Sequence, residues 1–94
     1  MTSSVQQNQQ VLNLELLGIG SKRYLNFLDN LQKALTSLQL DIPINEIKDI
    51  HQILEYDIIG IPALCINGKF HFQTDVPSVE QLKGVLQQAT QVTK

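Results

Sequence analysis

Across residues 14–28, LELLGIGSKRYLNFL, the hydrophobic period changes at a glycine-rich corner. Before the corner, Leu12, Leu14 and Leu16 alternate with Val11 and Leu17, so residues 11–17 read as a strand that is apolar on both faces. After it, Tyr24, Phe27, Leu28, Leu31, Ala34, Leu35 and Leu38 recur at intervals of three and four. This spacing predicts an amphipathic helix over about 21–39, with Ser21 as its N-cap. A strand with two apolar faces must be covered on both sides. It therefore belongs inside a sheet, and the helix supplies cover for one face.

Downstream, residues 42–48 alternate Ile42, Ile44 and Glu46 against Pro43, Asn45 and Ile47. Pro43 lacks a ladder donor, which suits an edge strand or a strand start. Asp49 caps a short helix whose buried side is expected to be Ile50, Ile53 and Leu54, and IIGIP (58–62) ends it. PALCI (62–66) reads as a short apolar strand. Asn67-Gly68 is a strong hairpin signal, and KFHFQT (69–74) returns with Phe70 and Phe72 expected on one face and His71 on the other. Ser78 and Gln81 form a capping box ahead of a helix with Leu82, Val85, Leu86 and Ala89 as its stripe. The order is β-α-β-α-β-β-α. Two parallel strands joined through a helix require a right-handed crossover. The economical architecture is α/β: a four-stranded mixed sheet with helices on both faces.

The 94 residues are enough for one domain over 11–94, with the polar MTSSVQQNQQ at 1–10 read as a flexible tail. A net charge of −2 without a basic run argues against nucleic acid as a partner. No apolar stretch is long enough for a membrane span, and the N-terminus lacks signal-peptide features, so a cytoplasmic protein is expected. Cys65 is the sole cysteine, which excludes an internal disulfide and a two-cysteine redox cycle within one chain. Its place between Leu64 and Ile66 predicts a buried, inert thiol. His51, His71 and Cys65 have no close metal-ligand spacing, so neither a metal nor another cofactor is expected. Asp49, Glu55 and Asp57 read as a cap and solvated charges.

This element order, with Ile61-Pro62 opening the third strand, resembles the thioredoxin-like arrangement with its glutaredoxin-type core. LLGIGSKRYLNFLDNL, DIHQILEYDIIGIPALCINGKF and the closing helix are similar to the small thioredoxin-like proteins called redox-active disulfide protein 2, over roughly residues 12–90. In that family the first strand–helix turn reads G-x-G-C-x-x-C. Gly18 and Gly20 fit the glycines, whereas Ser21 stands at the first cysteine and Tyr24 at the second. The resemblance also implies a cis bond at Ile61-Pro62, with the preceding backbone docking extended peptides beside the turn.

Thiolate attack is the chemistry of a C-x-x-C site, and a serine hydroxyl cannot carry it. The expected function is therefore a redox-inactive binding or regulatory module for a protein or peptide. Its candidate surface comprises Gly20, Ser21, Lys22, Arg23, Tyr24, Ile61 and Pro62, with no catalytic residue. The alternative is a thiol-dependent enzyme holding glutathione or a similar small thiol at the helix N-terminus near Ser21. Ser21, Lys22 and Arg23 have two readings, an anion site or a serine cap flanked by solvated cations. Tyr24 is read either as a stacking platform or as the first residue of the helix's packing stripe.

Overall fold

A computed structural model describes residues 12–91. The expected tail at 1–10 and Val11 of the first strand lie outside the described residues. The elements are β1 (Leu14–Leu17), α1 (Lys22–Ser37), β2 (Ile44–Ile47), α2 (Ile50–Ile53), β3 (Ala63–Ile66), β4 (Lys69–Gln73) and α3 (Val79–Gln91). They form one four-stranded sheet in the order β2-β1-β3-β4. β1 runs parallel to β2, with Leu14 opposite Ile44 and Leu17 opposite Ile47. β3 is antiparallel to both β1 and β4.

The two apolar sets of β1 are divided between the two faces. Leu12, Leu14 and Leu16 are buried with Tyr24, Phe27, Leu31, Ala34 and Leu35 of α1 and Leu82 and Leu86 of α3. Leu17 is buried on the other face with Ala63 and Ile53 of α2. Fully burying one such leucine contributes roughly 1.5–3 kcal/mol relative to leaving it exposed. The alternation along β1 therefore selects the register strongly, since a one-residue slip would exchange the two sets.

The ends of the elements are held by specific hydrogen bonds. α1 stops at Ser37, short of the expected residue 39. Gln39 adopts a left-handed conformation (φ 59°), and the Leu40 N–H donates to the Leu35 carbonyl at 2.9 Å, closing the helix in a Schellman-type turn. Asn67 (φ 52°) and Gly68 (φ 84°) make the tight hairpin turn. The Asn13 N–H donates to Asn67 Oδ1 at 2.8 Å, and the Asn67 N–H donates to the Asn13 carbonyl at 2.9 Å, pinning the hairpin to the start of β1. The Ser78–Gln81 capping box is formed in both directions, at 2.9 and 3.1 Å.

Two local expectations are corrected. Of Ile50, Ile53 and Leu54, only Ile53 is buried; the other two are exposed, because a helix of one turn presents a single residue to the sheet. Phe70 and Phe72 lie on opposite faces. Leu64 pairs with Phe72 but Cys65 pairs with Phe70, so a bulge at His71 shifts the alternation by one residue. Phe72 packs edge-on against Phe27 at 6.3 Å between ring centroids, and Phe70 packs edge-on against Tyr56 at 5.9 Å.

This bulge has a measurable signature. Double-mutant cycles with leucine substitutions, read by urea unfolding, should give a coupling of about 0.5–1.5 kcal/mol for Phe27–Phe72 and for Phe70–Tyr56. The crossed pair Phe27–Phe70 should show no coupling. A coupling there would mean that β4 alternates without the bulge.

Candidate functional site

The pairing register brings several loops to one edge of the sheet. Leu17 is opposite both Ile47 and Ala63, and Ala63 is opposite Gln73. The turn after β1, the start of α2, the loop before β3 and the residue after β4 therefore all leave the sheet at the same end. Most candidate residues from the sequence gather here.

The turn between β1 and α1 is shaped by backbone requirements. The buried Gly18 donates its N–H to the Ile47 carbonyl at 3.1 Å. A Cβ at Gly18 would collide with Cδ1, Cε1 and Cγ of the Tyr24 ring. Gly20 has φ 83°, a conformation that disfavours other residues. Ser21 caps α1 as expected: its Oγ accepts from the Tyr24 N–H at 3.2 Å. Lys22 and Arg23 are exposed in a first turn that contains no carboxylate. Two cations there oppose the helix dipole, at a cost of about 0.3–1 kcal/mol each.

Tyr24 lies beneath this turn. It is 1% exposed, and its hydroxyl donates to Glu46 Oε1 on β2. Burial, and then the hydrogen bond and charge of Glu46, raise its pKa well above the ordinary tyrosine range. Lys48 Nζ lies 3.9 Å from the same carboxylate. Tyr24 therefore belongs to the packing stripe and positions the turn from below. A ligand resting on the turn would not touch its ring.

Across the edge, the Ile61-Pro62 bond is cis. Pro62 is buried and Ile61 half-buried. The loop is tied to the end of β4: the Thr74 N–H donates to the Pro62 carbonyl at 2.8 Å, and the Ile59 N–H donates to Gln73 Oε1 at 2.7 Å. A Cβ at Gly60 would stand 2.5 Å from Thr74 Cγ2, so this contact also needs glycine. Among the described residues, neither the N–H nor the carbonyl of Ile61 has a backbone partner. Ile19 and Ile59 are exposed at 60% and 86%.

The lone thiol lies away from this edge. Cys65 is 2% exposed in the middle of β3, opposite Glu15. Burial, and then the charge of Glu15, push its pKa up, which disfavours the thiolate needed for exchange. His51 lies on α2 with Nδ1 3.5 Å from Asp49 Oδ1, and His71 lies at the β4 bulge. Among the described residues, no group of three or more His, Cys, Asp or Glu side chains is arranged to hold a metal ion.

Glu46, Gln73 and Thr74 were not anticipated as supports of the site. Glu46 did carry a signal, because it occupies the position after Ile42 and Ile44 where the alternation calls for an apolar side chain. Gln73 and Thr74 act through a β4 hairpin contact that no local pattern encodes.

The Gly18–Tyr24 contact should be directly measurable. Gly18→Ala should cost about 1–3 kcal/mol, as overpacking does in a close-packed interior. Adding Tyr24→Leu should recover part of that loss in urea unfolding. A neutral Gly18→Ala, or strictly additive losses, would contradict the contact.

Residues 13–87 match the family model of the thioredoxin domain. The chain is also similar to the thioredoxin of Methanothermobacter thermautotrophicus strain Delta H, at 26% identity over 76 residues. The match covers 81% of this chain and 99% of that protein. With the sheet order, the loops gathered at one edge and a family match spanning most of the chain, the protein belongs to the thioredoxin-domain family.

Proposed function

We propose that this chain is a redox-silent member of that family, of the redox-active disulfide protein 2 kind, that binds a segment of another cytoplasmic protein at the edge formed by the Gly18–Tyr24 turn and Ile61-Pro62. The observation that carries this reading is an ordered edge with no sulfur in it. Ser21 caps the helix, Tyr24 is locked into the core, and the single cysteine is buried in β3. Dithiol exchange needs two sulfurs within reach of one another and of solvent, and this chain has one cysteine, which is buried.

What the edge retains favours recognition. Among the described residues the main-chain N–H and carbonyl of Ile61 have no backbone partner, which suits an extended segment pairing alongside them. Exposed Ile19 and Ile59 provide apolar contact on either side. Ser21, Lys22 and Arg23 add a hydroxyl and two cations at the rim. Gly20 and Pro62 shape the two loops, and Tyr24 holds the turn in place. No helix among the described residues is long and apolar enough to cross a membrane.

The small-thiol alternative uses the same turn, so one pair of experiments separates the two. Immobilised chain exposed to native extract should retain a protein that Ile19→Asp releases. Retention of nothing, or equal retention by the variant, would contradict the proposal. Backbone amide shifts on adding reduced glutathione, confined to residues 18–24 and 60–63, would support the small-thiol enzyme instead.

A further inference from the structure

The far end of the sheet, where Ile66 pairs with Lys69, carries an open cavity of about 380 Å³ between the β3–β4 hairpin and α3. Its floor is apolar, made by the buried Ile66 of β3 and the half-buried Val85 and Ala89 of α3. Lys69 and His71, two residues apart on β4, line the same cavity. A few polar groups beside an apolar floor is the general form of a small-molecule site, and the volume falls at the small end of that range.

The charge lining the cavity has one sign. Lys69 is exposed, and among the described residues no carboxylate lies within ion-pair distance of it. From β3 the lining residue is Ile66, and from α3 they are Val85, Gln88 and Ala89, so neither element adds a charge. Glu80 and Lys83, earlier on α3, pair with each other at 3.6 Å and are not lining residues. His71 is half-buried, and burial, then the charge of Lys69, lower its pKa, so its ring is neutral at pH 7. Asn67 also lines the cavity. Its Oδ1 already accepts from the Asn13 N–H at 2.8 Å, which leaves its amide NH2 to donate. The cavity therefore offers a cation and further donors over hydrocarbon, without a carboxylate.

From this arrangement we infer that the hairpin–α3 cavity binds a small amphiphilic carboxylate, its head against Lys69 and His71 and its hydrocarbon part over Ile66, Val85 and Ala89. A cationic ligand of the same shape would meet Lys69 with like charge and find no carboxylate in the lining to pair with. A bound carboxylate also favours the imidazolium form of His71, offsetting the neighbouring lysine. The His71 pKa is then higher in the complex than in the free protein, so binding takes up a proton and strengthens as pH falls through the higher value. This site is separate from the binding edge and does not rest on that reading.

The probes are octanoate, octylammonium and inorganic phosphate, added to the full chain and followed by backbone amide shifts and by the His71 ring resonances. Octanoate should shift residues 66–71 and 85–89 and bind about tenfold more tightly than octylammonium at low ionic strength, with the preference shrinking in salt. Phosphate, which has no hydrocarbon part, should bind more weakly than octanoate. Octanoate should raise the His71 pKa and bind about threefold more tightly near pH 6 than near pH 8. Lys69→Met should weaken octanoate about tenfold, and His71→Gln should remove the pH dependence. No binding of octanoate, equal binding of octylammonium, or phosphate binding as tight as octanoate would overturn the inference. An unmoved His71 pKa, octanoate affinity unchanged by Lys69→Met, or shifts confined to residues 18–24 would overturn it as well.

Discussion

The rest of this edge depends on the Tyr24 side chain, held between Gly18 and Glu46. Its ring fills the space that glycine leaves at the end of β1, and its hydroxyl reaches the β2 carboxylate. One side chain thereby ties together β1, the first turn of α1 and an edge strand. A thiol at position 24 would remove most of a fully buried aromatic. Truncating such a group costs about 3–5 kcal/mol in a packed core. The residue that stands where the resemblance places a second cysteine is therefore a structural member, and restoring sulfur there would disrupt packing as well as add chemistry.

The charge distribution follows from the same arrangement. Ser21 already supplies the N-cap, so the first turn of α1 can carry Lys22 and Arg23 despite the unfavourable dipole. The segment from Asp49 to Asp57 has the opposite sign. A basic first turn on the α1 face of the sheet and an acidic segment around α2 on the other face give the edge an electrostatic direction. The sheet contributes rigidity, because Leu14, Leu16, Leu17, Ala63 and Leu64 beneath these loops are fully buried.

Much of this was legible in the sequence, for identifiable reasons. The two-sided alternation of β1, the Ser21 and Asp49 caps, the Asn67-Gly68 turn and the Ser78 capping box are local signals, and each produced the element expected of it. The face of Phe70 was not legible. A bulge depends on how β4 registers against β3, and the pattern of residues 69–74 reads equally well without one. The exposure of Ile50 and Leu54 was hidden because apolar spacing does not reveal that a helix will end after one turn. At the site, Ser21 and Tyr24 were found through resemblance. Their supports Glu46, Gln73 and Thr74 come from strands and turns that only the folded sheet brings near.

The central claim is that a thioredoxin-family fold here operates without dithiol exchange. Insulin disulfide reduction driven by dithiothreitol tests it most directly, run with the protein and with Cys65→Ala. The predicted result is that neither protein accelerates the reaction beyond dithiothreitol alone. Acceleration by the unmodified chain that disappears in Cys65→Ala would show that the buried thiol reaches substrate, and would contradict the account.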